Sequence, residues 1–293
     1  MKTGKKATEI TQHNFLRSVK TVSFFTFLSR ISGLVRDILC ASLFGTSMVW
    51  DAFTIAFKIP NLFRRLFGEG ALSAAFVPVF TEYLAKNSKK EAWELVKALG
   101  TVLLIILAGI VIIGESVFYI VPKAVDLEPK WEMVCDLLVI MFPYVIFICL
   151  VAFSMAILNS LEHFLFPTLA PIVGNVCWIS GIIISVALFS DNLREKVFCI
   201  AFAILLTGFI QLGMQIPVLK KYGMEFRLTR NITHPAIKQI FKLMGPTIIG
   251  LSVVQINVLL DGIIAVGFAP STEGDLTFSF FGNEIFYPLQ TGA

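Results

Sequence analysis

The chain has 293 residues and a formal net charge of +4; 56% of its residues are hydrophobic and only 15% are charged, against about 45 to 50% and about 25% in ordinary soluble domains. A soluble fold of this length could not cover so much apolar surface, which excludes a soluble enzyme or binding domain and leaves an all-α polytopic membrane protein. Cys40, Cys135, Cys149, Cys177 and Cys199 lie apart with no CxxC pair, and His13, His163 and His234 stand alone; neither set has metal or redox spacing, so no metal and no cofactor is expected.

Residues 1–20 are basic (Lys2, Lys5, Lys6, Arg17, Lys20) and read as a cytoplasmic tail. The apolar run that follows carries Arg30, Arg36 and Asp37, too many charges for a signal-peptide core. It reads as a first membrane helix over residues 21–45 that stays in place. A second span, 49–83, holds Pro60, Pro78 and the Gly68-Glu69-Gly70 triplet, which predicts a helix, a bend and a further helical piece. Such interruptions are tolerated at membrane depth where the backbone is buried in protein or lines a cavity. Cleaner spans follow at 98–114 (running on to about Val121), 137–161, 164–190 with Pro167 and Pro171 near its start, and 197–219. A seventh, 240–268, carries Pro246 and Asp261, and the start of an eighth is expected near Leu276, cut by the end of the chain at Ala293. This gives about seven complete transmembrane helices plus that start: a first bundle over 21–239 (helices one to six) and the beginning of a second over 240–293.

Loop charges orient these spans. Lys86, Lys89, Lys90 and Lys97 follow the second span, and Lys220, Lys221, Arg227, Arg230, Lys238 and Lys242 follow the sixth. The opposite loops are uncharged (46–48) or acid-rich (Asp126, Glu128, Glu132, Asp136; Glu273, Asp275). Cationic loops stay inside, so the N-terminus is expected in the cytoplasm.

The stretch 29–83 contradicts its own apolarity. It carries Arg30, Arg36, Asp37, Asp51, Lys58, Arg64, Arg65 and Glu69, and a charge at mid-bilayer costs about 2.5 to 3.5 kcal/mol on insertion scales. Residues seven apart share a helix face, which aligns Arg30 with Asp37, and Asp51 with Lys58 and Arg65. Arg36 and Arg64 fall off the strictest stripes but within reach of a wide cavity. Spans one and two, joined by a short loop, are expected to form a hairpin whose polar faces share one interior. Most of the charges are cationic, so the ligand is expected to be anionic, and guanidinium forks suit phosphate. The bland alternative is that the arginines, Arg64 and Arg65 above all, snorkel to the interface or only pair with the acids. No HExxH, GxSxG or Walker A pattern is present, so the reading is a transporter, not an enzyme, and not one powered by ATP hydrolysis within this chain.

The segments SRISGLVRD (29–37) and DAFTIAFKIPNLFRRLFGEGALSAAFVPVFTEY (51–83) resemble the MurJ/MviN family of lipid II flippases, in the multidrug/oligosaccharidyl-lipid/polysaccharide exporter superfamily. Weaker echoes follow in order at 142–150, 156–164, 166–175, 215–223 and 244–257. The resemblance implies a helical bundle in the bacterial cytoplasmic (inner) membrane that opens alternately to either side. Its cargo would be lipid II, the undecaprenyl-pyrophosphate-linked peptidoglycan precursor used in cell-wall biogenesis and cell shape. Arg30, Arg36, Lys58 and Arg64 would bind the pyrophosphate and sugar headgroup; Asp37, Asp51, Glu69 and Arg65 would form ion pairs in gating.

Family members have about fourteen helices in two bundles, so the chain is expected to be the N-terminal portion only, as a fragment, a split gene product or a truncated frame. A second chain would then supply the rest. The family's Asp-Arg pair near the eighth helix is replaced here by Phe281-Gly282-Asn283-Glu284-Ile285, without an arginine. Cycling needs a coupling ion or the membrane potential, which supplies about 2.3 kcal/mol per charge per 100 mV. Partners are lipid II and membrane lipids, with no nucleic acid. The rival readings are export of another polyprenyl-linked glycan or of a drug cation, which a cationic cavity disfavours, and a transport-dead half that assembles with cell-wall synthesis proteins.

Overall fold

The computed structural model describes residues 2–86, 88–225, 227–230, 234–267, 279–281 and 284–286, without the side chains of 2–19, 67–69, 262, 265–267 and the residues of 279–286. The Glu69 side chain, the Glu273 and Asp275 pair and the expected opening of the eighth helix at Leu276 lie outside the described residues.

Helix α1 (Lys2–Phe44) begins ahead of the first span, so the basic tail read over 1–20 is the opening of the same helix. It ends at Gly45, whose φ of 52° is a left-handed turn that glycine adopts without penalty. Helix α2 (Met48–Phe63) starts on Ser47, whose hydroxyl accepts from the Trp50 amide. Where the sequence predicts a helix, a bend and a further helical piece, the backbone stays helical throughout: α2 runs into a π-helical segment, Arg64–Ala71, and on into α3 (Leu72–Lys86). A π segment widens the turn without ending the helix. Its Gly70 lies so close to Leu251 that a β-carbon there would collide with that side chain.

Helix α4 (Lys89–Ala124) is capped by Ser88, which accepts from the Glu91 amide. The single span expected over 137–161 is instead two helices, α5 (Pro129–Met141) and α6 (Tyr144–Ser160), bent by 48°. Pro143 sits at the break, where it has no amide to give to the ladder. Helices α7 (Leu165–Leu188), α8 (Leu193–Lys221) and α9 (Pro235–Gly267) follow. Beyond them β1 (Ser279–Phe281) pairs antiparallel with β2 (Glu284–Phe286), in place of helix within the stretch assigned to the eighth span. Gly-Asn between two apolar runs is a hairpin signal that the hydropathy pattern hides. Among the described residues, α4, α7, α8 and 235–261 of α9 are long and apolar enough to cross a membrane, five with the bent pair. Helix α1 and the α2–α3 segment hold the charges of the 29–83 stretch.

Two apolar clusters close the bundle. One gathers Phe44, Trp50, Phe53, Leu137, Met141, Trp178 and Ile200, around the end where α1 turns into α2. The other gathers Phe76, Phe80, Trp93, Leu99, Ile157, Leu219 and Ile240, towards the basic loops. Ala236, Ile237, Ile240 and Met244 of α9 belong to this second cluster, so the seventh expected span begins inside the first bundle's core. Helices α1 and α2 do not pack as the expected hairpin: α1 lies along α7 and α2 along α5. The Phe44 and Trp50 rings stack next to the turn, 5.0 Å apart.

Small residues let α8 approach its neighbours. A β-carbon at Gly181 would strike the Ala203 methyl, and one at Gly208 would lie 2.6 Å from Phe147 Cβ, a rigid neighbour. Gly208→Val is therefore expected to destabilise the folded bundle by about 1 to 3 kcal/mol, read as a lower midpoint of thermal unfolding in detergent. An unchanged midpoint would mean that α6 and α8 separate freely at this contact.

The α8–α9 connection is strapped to α4. Lys97 Nζ bonds Glu94 at 2.9 Å and Glu225 at 3.1 Å, and the Thr229 amide donates to Thr101 Oγ1 at 3.2 Å. The Lys97 hydrogen bond holds the Glu225 carboxyl below the usual carboxylate range. The sign follows: the pair is complete at neutral pH and is lost as acidification protonates Glu225. Glu225 is well exposed, so the pair is weak.

Candidate functional site

Between the two clusters lies a cavity of about 430 Å³, walled by α1, α2, the π segment, α6, α7, α8 and α9. Arg36, Asp37, Lys58, Arg64 and Arg65 all line it. The volume is within the size range of small-molecule sites, and four of those five charges are cationic. Trp50, Phe53, Phe57 and Trp178 wall the end near the α1–α2 turn. Trp50 stacks on Phe53 at 4.9 Å, and Phe57 meets Trp178 edge-on at 4.9 Å.

Arg36 is held from three sides. Its Nε and Nη2 donate to Asp37 Oδ1 at 2.8 and 2.7 Å, and its Nη1 donates to Asn175 Oδ1 at 3.0 Å. Its guanidinium carbon lies 4.6 Å from the centre of the Trp178 ring, within cation–π range. Asn175 in turn donates from Nδ2 to the Ser29 carbonyl (3.0 Å) and to Ser32 Oγ (2.9 Å), pinning α1 to α7 where Gly33 leaves room. Arg36 and Asp37 are each about a quarter exposed, so the head is fixed yet open to the cavity.

The other cations come from α2 and its π continuation. Lys58 enters the cavity wall with its ammonium nitrogen buried. Arg64 Nε donates to Asn61 Oδ1 at 2.8 Å. Arg65 Nη1 reaches Gln255 Oε1 on α9 at 3.4 Å. The π segment places consecutive arginines on the same cavity.

Two residues from the sequence reading lie elsewhere. Arg30 is on the exposed face of α1 and does not line the cavity. Asp51 is buried at 5% exposure in the first turn of α2, away from the cavity wall, with Lys130 the cation whose field reaches it. Glu69 falls among the undescribed side chains.

Sequence reasoning missed Asn175, Trp178, Thr207, Gln211 and Gln255, all on the cavity wall. The signal was there for the amides, because Asn175, Gln211 and Gln255 are costly inside apolar spans and need a partner or a purpose. Trp178 gave none; a tryptophan in an apolar helix reads as core.

Comparison with known proteins gives this geometry a family. The family model described as lipid II flippase MurJ matches residues 40–279. A Burkholderia cenocepacia protein described as lipid II flippase MurJ is 34% identical over 261 residues, covering 86% of this chain and 50% of its own. A Vibrio cholerae protein described as probable lipid II flippase MurJ is 37% identical over 262 residues, covering 85% and 49%. The chain spans about half the length of these curated relatives. A solved structure of lipid II flippase MurJ in an inward closed conformation superposes with a TM-score of 0.70 at 28% identity, over 85% of this chain and 51% of its own. A Vibrio cholerae MATE transporter, VcmN in the bent form, shares the fold alone, with a TM-score of 0.60 at 11% identity. With residues 40–279, most of the chain, matched by the family model, this chain belongs to the MurJ lipid II flippase family.

Proposed function

We propose that this chain forms the headgroup-binding bundle of a lipid II flippase of the bacterial inner membrane, with its N-terminus in the cytoplasm. The observation that carries the reading is the convergence of Arg36, Lys58, Arg64 and Arg65 on one cavity between two apolar seals, with Asp37 the single lining carboxylate among the described residues. A pyrophosphate supplies the anion that such a cluster needs, and guanidinium donors bind it through paired hydrogen bonds. Arg30, one residue from the cavity-lining Ser29, would meet the cargo at the cavity edge rather than at its floor. Asp37 would hold Arg36 between cargo molecules and release it to phosphate. Asp51 and Glu69 would serve in gating.

A cavity of about 430 Å³ is too small for a whole disaccharide-pentapeptide. The headgroup therefore passes through only if the bundle opens, to one side and then the other. The aromatic wall beside the α1–α2 turn would close the outer side, and the cluster near the basic loops the inner side.

The test is complementation. The full gene product containing this chain is expressed in a bacterium depleted of its own lipid II flippase, and lipid II at the outer leaflet is measured. Restored exposure of lipid II is expected. No restoration, with the protein present in the membrane, would overturn the reading. Competition between lipid II and other polyprenyl-linked glycans for the purified protein separates this cargo from the nearest rival.

A further inference from the structure

Helix α8 carries three polar side chains four residues apart, Thr207, Gln211 and Gln215, on one face. All are buried, at 5%, 5% and 0% exposure. Thr207 and Gln211 line the cavity, and Gln215 lies one turn further towards the basic end of the helix at Lys220 and Lys221. Gln211 Nε2 donates to the Ala170 carbonyl at 2.6 Å. That bond fixes the amide's orientation, since the flipped form would set two acceptors together. Gln211 Oε1 and both polar atoms of Gln215 then have no hydrogen-bond partner among the described residues. Beyond Gln215 the next turn, Val218 and Leu219, is sealed into the second apolar cluster.

A buried amide without partners is unfavourable, and an apolar side chain of similar volume would pack there at less cost. One such atom is a local imperfection. Three atoms on two consecutive turns, in register with the cavity wall and leading to one end of the helix, form a line with a direction. That line points away from the aromatic wall that closes the other end.

We propose that Thr207, Gln211 and Gln215 form a polar seam that is shut in this conformation. When the bundle opens towards the basic loops, the seam lines a water-filled vestibule and hydrogen-bonds the neutral hydroxyl and amide groups of the passing headgroup. The proposal rests on the transport reading above for its cargo, but not for its opening. The cationic cavity holds the charged part of the ligand; the seam handles the uncharged part, for which amide side chains offer both donor and acceptor.

Two measurements on the full gene product test it. First, Gln215→Cys in membrane vesicles is exposed to a charged, membrane-impermeant thiol reagent, with modification of that peptide read by mass spectrometry. Leu99→Cys, fully buried in the second cluster, is the control. The Gln215→Cys site is expected to react about tenfold faster than the control or more, from the side of Lys220 and Lys221, as a transiently populated open state allows. Equal rates would overturn the seam. Second, Gln215→Leu is expected to keep or raise the thermal midpoint while lipid II translocation falls about tenfold. Unchanged translocation would overturn the seam's role in passage. Rapid labelling in a protein that moves no lipid II at all would sink the proposed cargo and still support the opening.

Discussion

Arg36→Ala is expected to lower lipid II translocation by about two orders of magnitude while the protein remains folded in the membrane. A hydrogen bond to a charged group contributes about 1.5 to 3 kcal/mol, and a guanidinium makes two to a phosphate, so about a hundredfold is the modest end of the range. The cost to folding is smaller. Asp37 faces the cavity and can take water, and Asn175 keeps its bonds to Ser29 and Ser32 when the arginine is gone. What is lost is the partly exposed pairing with Asp37, the bond to Asn175 Oδ1 and the contact with Trp178, the last worth about 0.5 to 1 kcal/mol at a partly exposed site. Arg36→Lys is expected to fall between, because a point charge cannot reproduce the planar fork that serves Asp37 and Asn175 here and would serve a phosphate. The measurement is lipid II at the outer leaflet, normalised to protein in the membrane. Normal transport by Arg36→Ala would remove the cavity as the headgroup site. Arg30→Ala is the informative comparison: a defect as large would mean that α1 turns its exposed face to the cargo at another step of the cycle.

The helical membrane architecture and the cationic stretch were legible in the chain because both rest on composition. Apolar runs of bilayer length are hard to disguise, and charges within them are costly enough to stand out. Their arrangement was less legible. The i, i+7 rule aligned Arg30 with Asp37, and Asp51 with Lys58 and Arg65, yet of these five Arg30 and Asp51 do not line the cavity. Packing decides which face of a helix points inward, and α1 turns to α7 rather than to its neighbour in sequence. A short loop makes two helices adjacent at one end and says nothing of where each lies along its length. The π segment was invisible for a related reason. A glycine-glutamate-glycine triplet signals a break in an isolated helix, whereas here α9 packs close against it at Leu251. The bend at Pro143 had its proline in plain view, but hydropathy carried the reading straight across it. Asn175 was visible too, as an amide in an apolar run, and only the fold shows that its purpose is to hold a cation on another helix.

That purpose yields the second large expected effect. Asn175→Asp should weaken headgroup binding more than Asn175→Ala, although the two lose similar stability. Alanine removes the acceptor that steadies Arg36 and the donors to Ser29 and Ser32, so a stability loss of about 1 to 3 kcal/mol is expected. Aspartate keeps the acceptor but loses both donors, so α1 and α7 come loose at the same joint. It also places a negative charge about 3 Å from the guanidinium, where it competes with phosphate for the same cation. At short range in a partly screened site that competition is worth up to about 4 kcal/mol, against no charge penalty for alanine. Thermal unfolding and lipid II binding, measured together on the two variants, separate the contributions. Aspartate binding at least about tenfold more weakly than alanine at matched stability would establish that Asn175 tunes Arg36 for an anion. Equal binding by the two would reduce Asn175 to a brace between helices, and would move the specificity of the cavity to Lys58, Arg64 and Arg65.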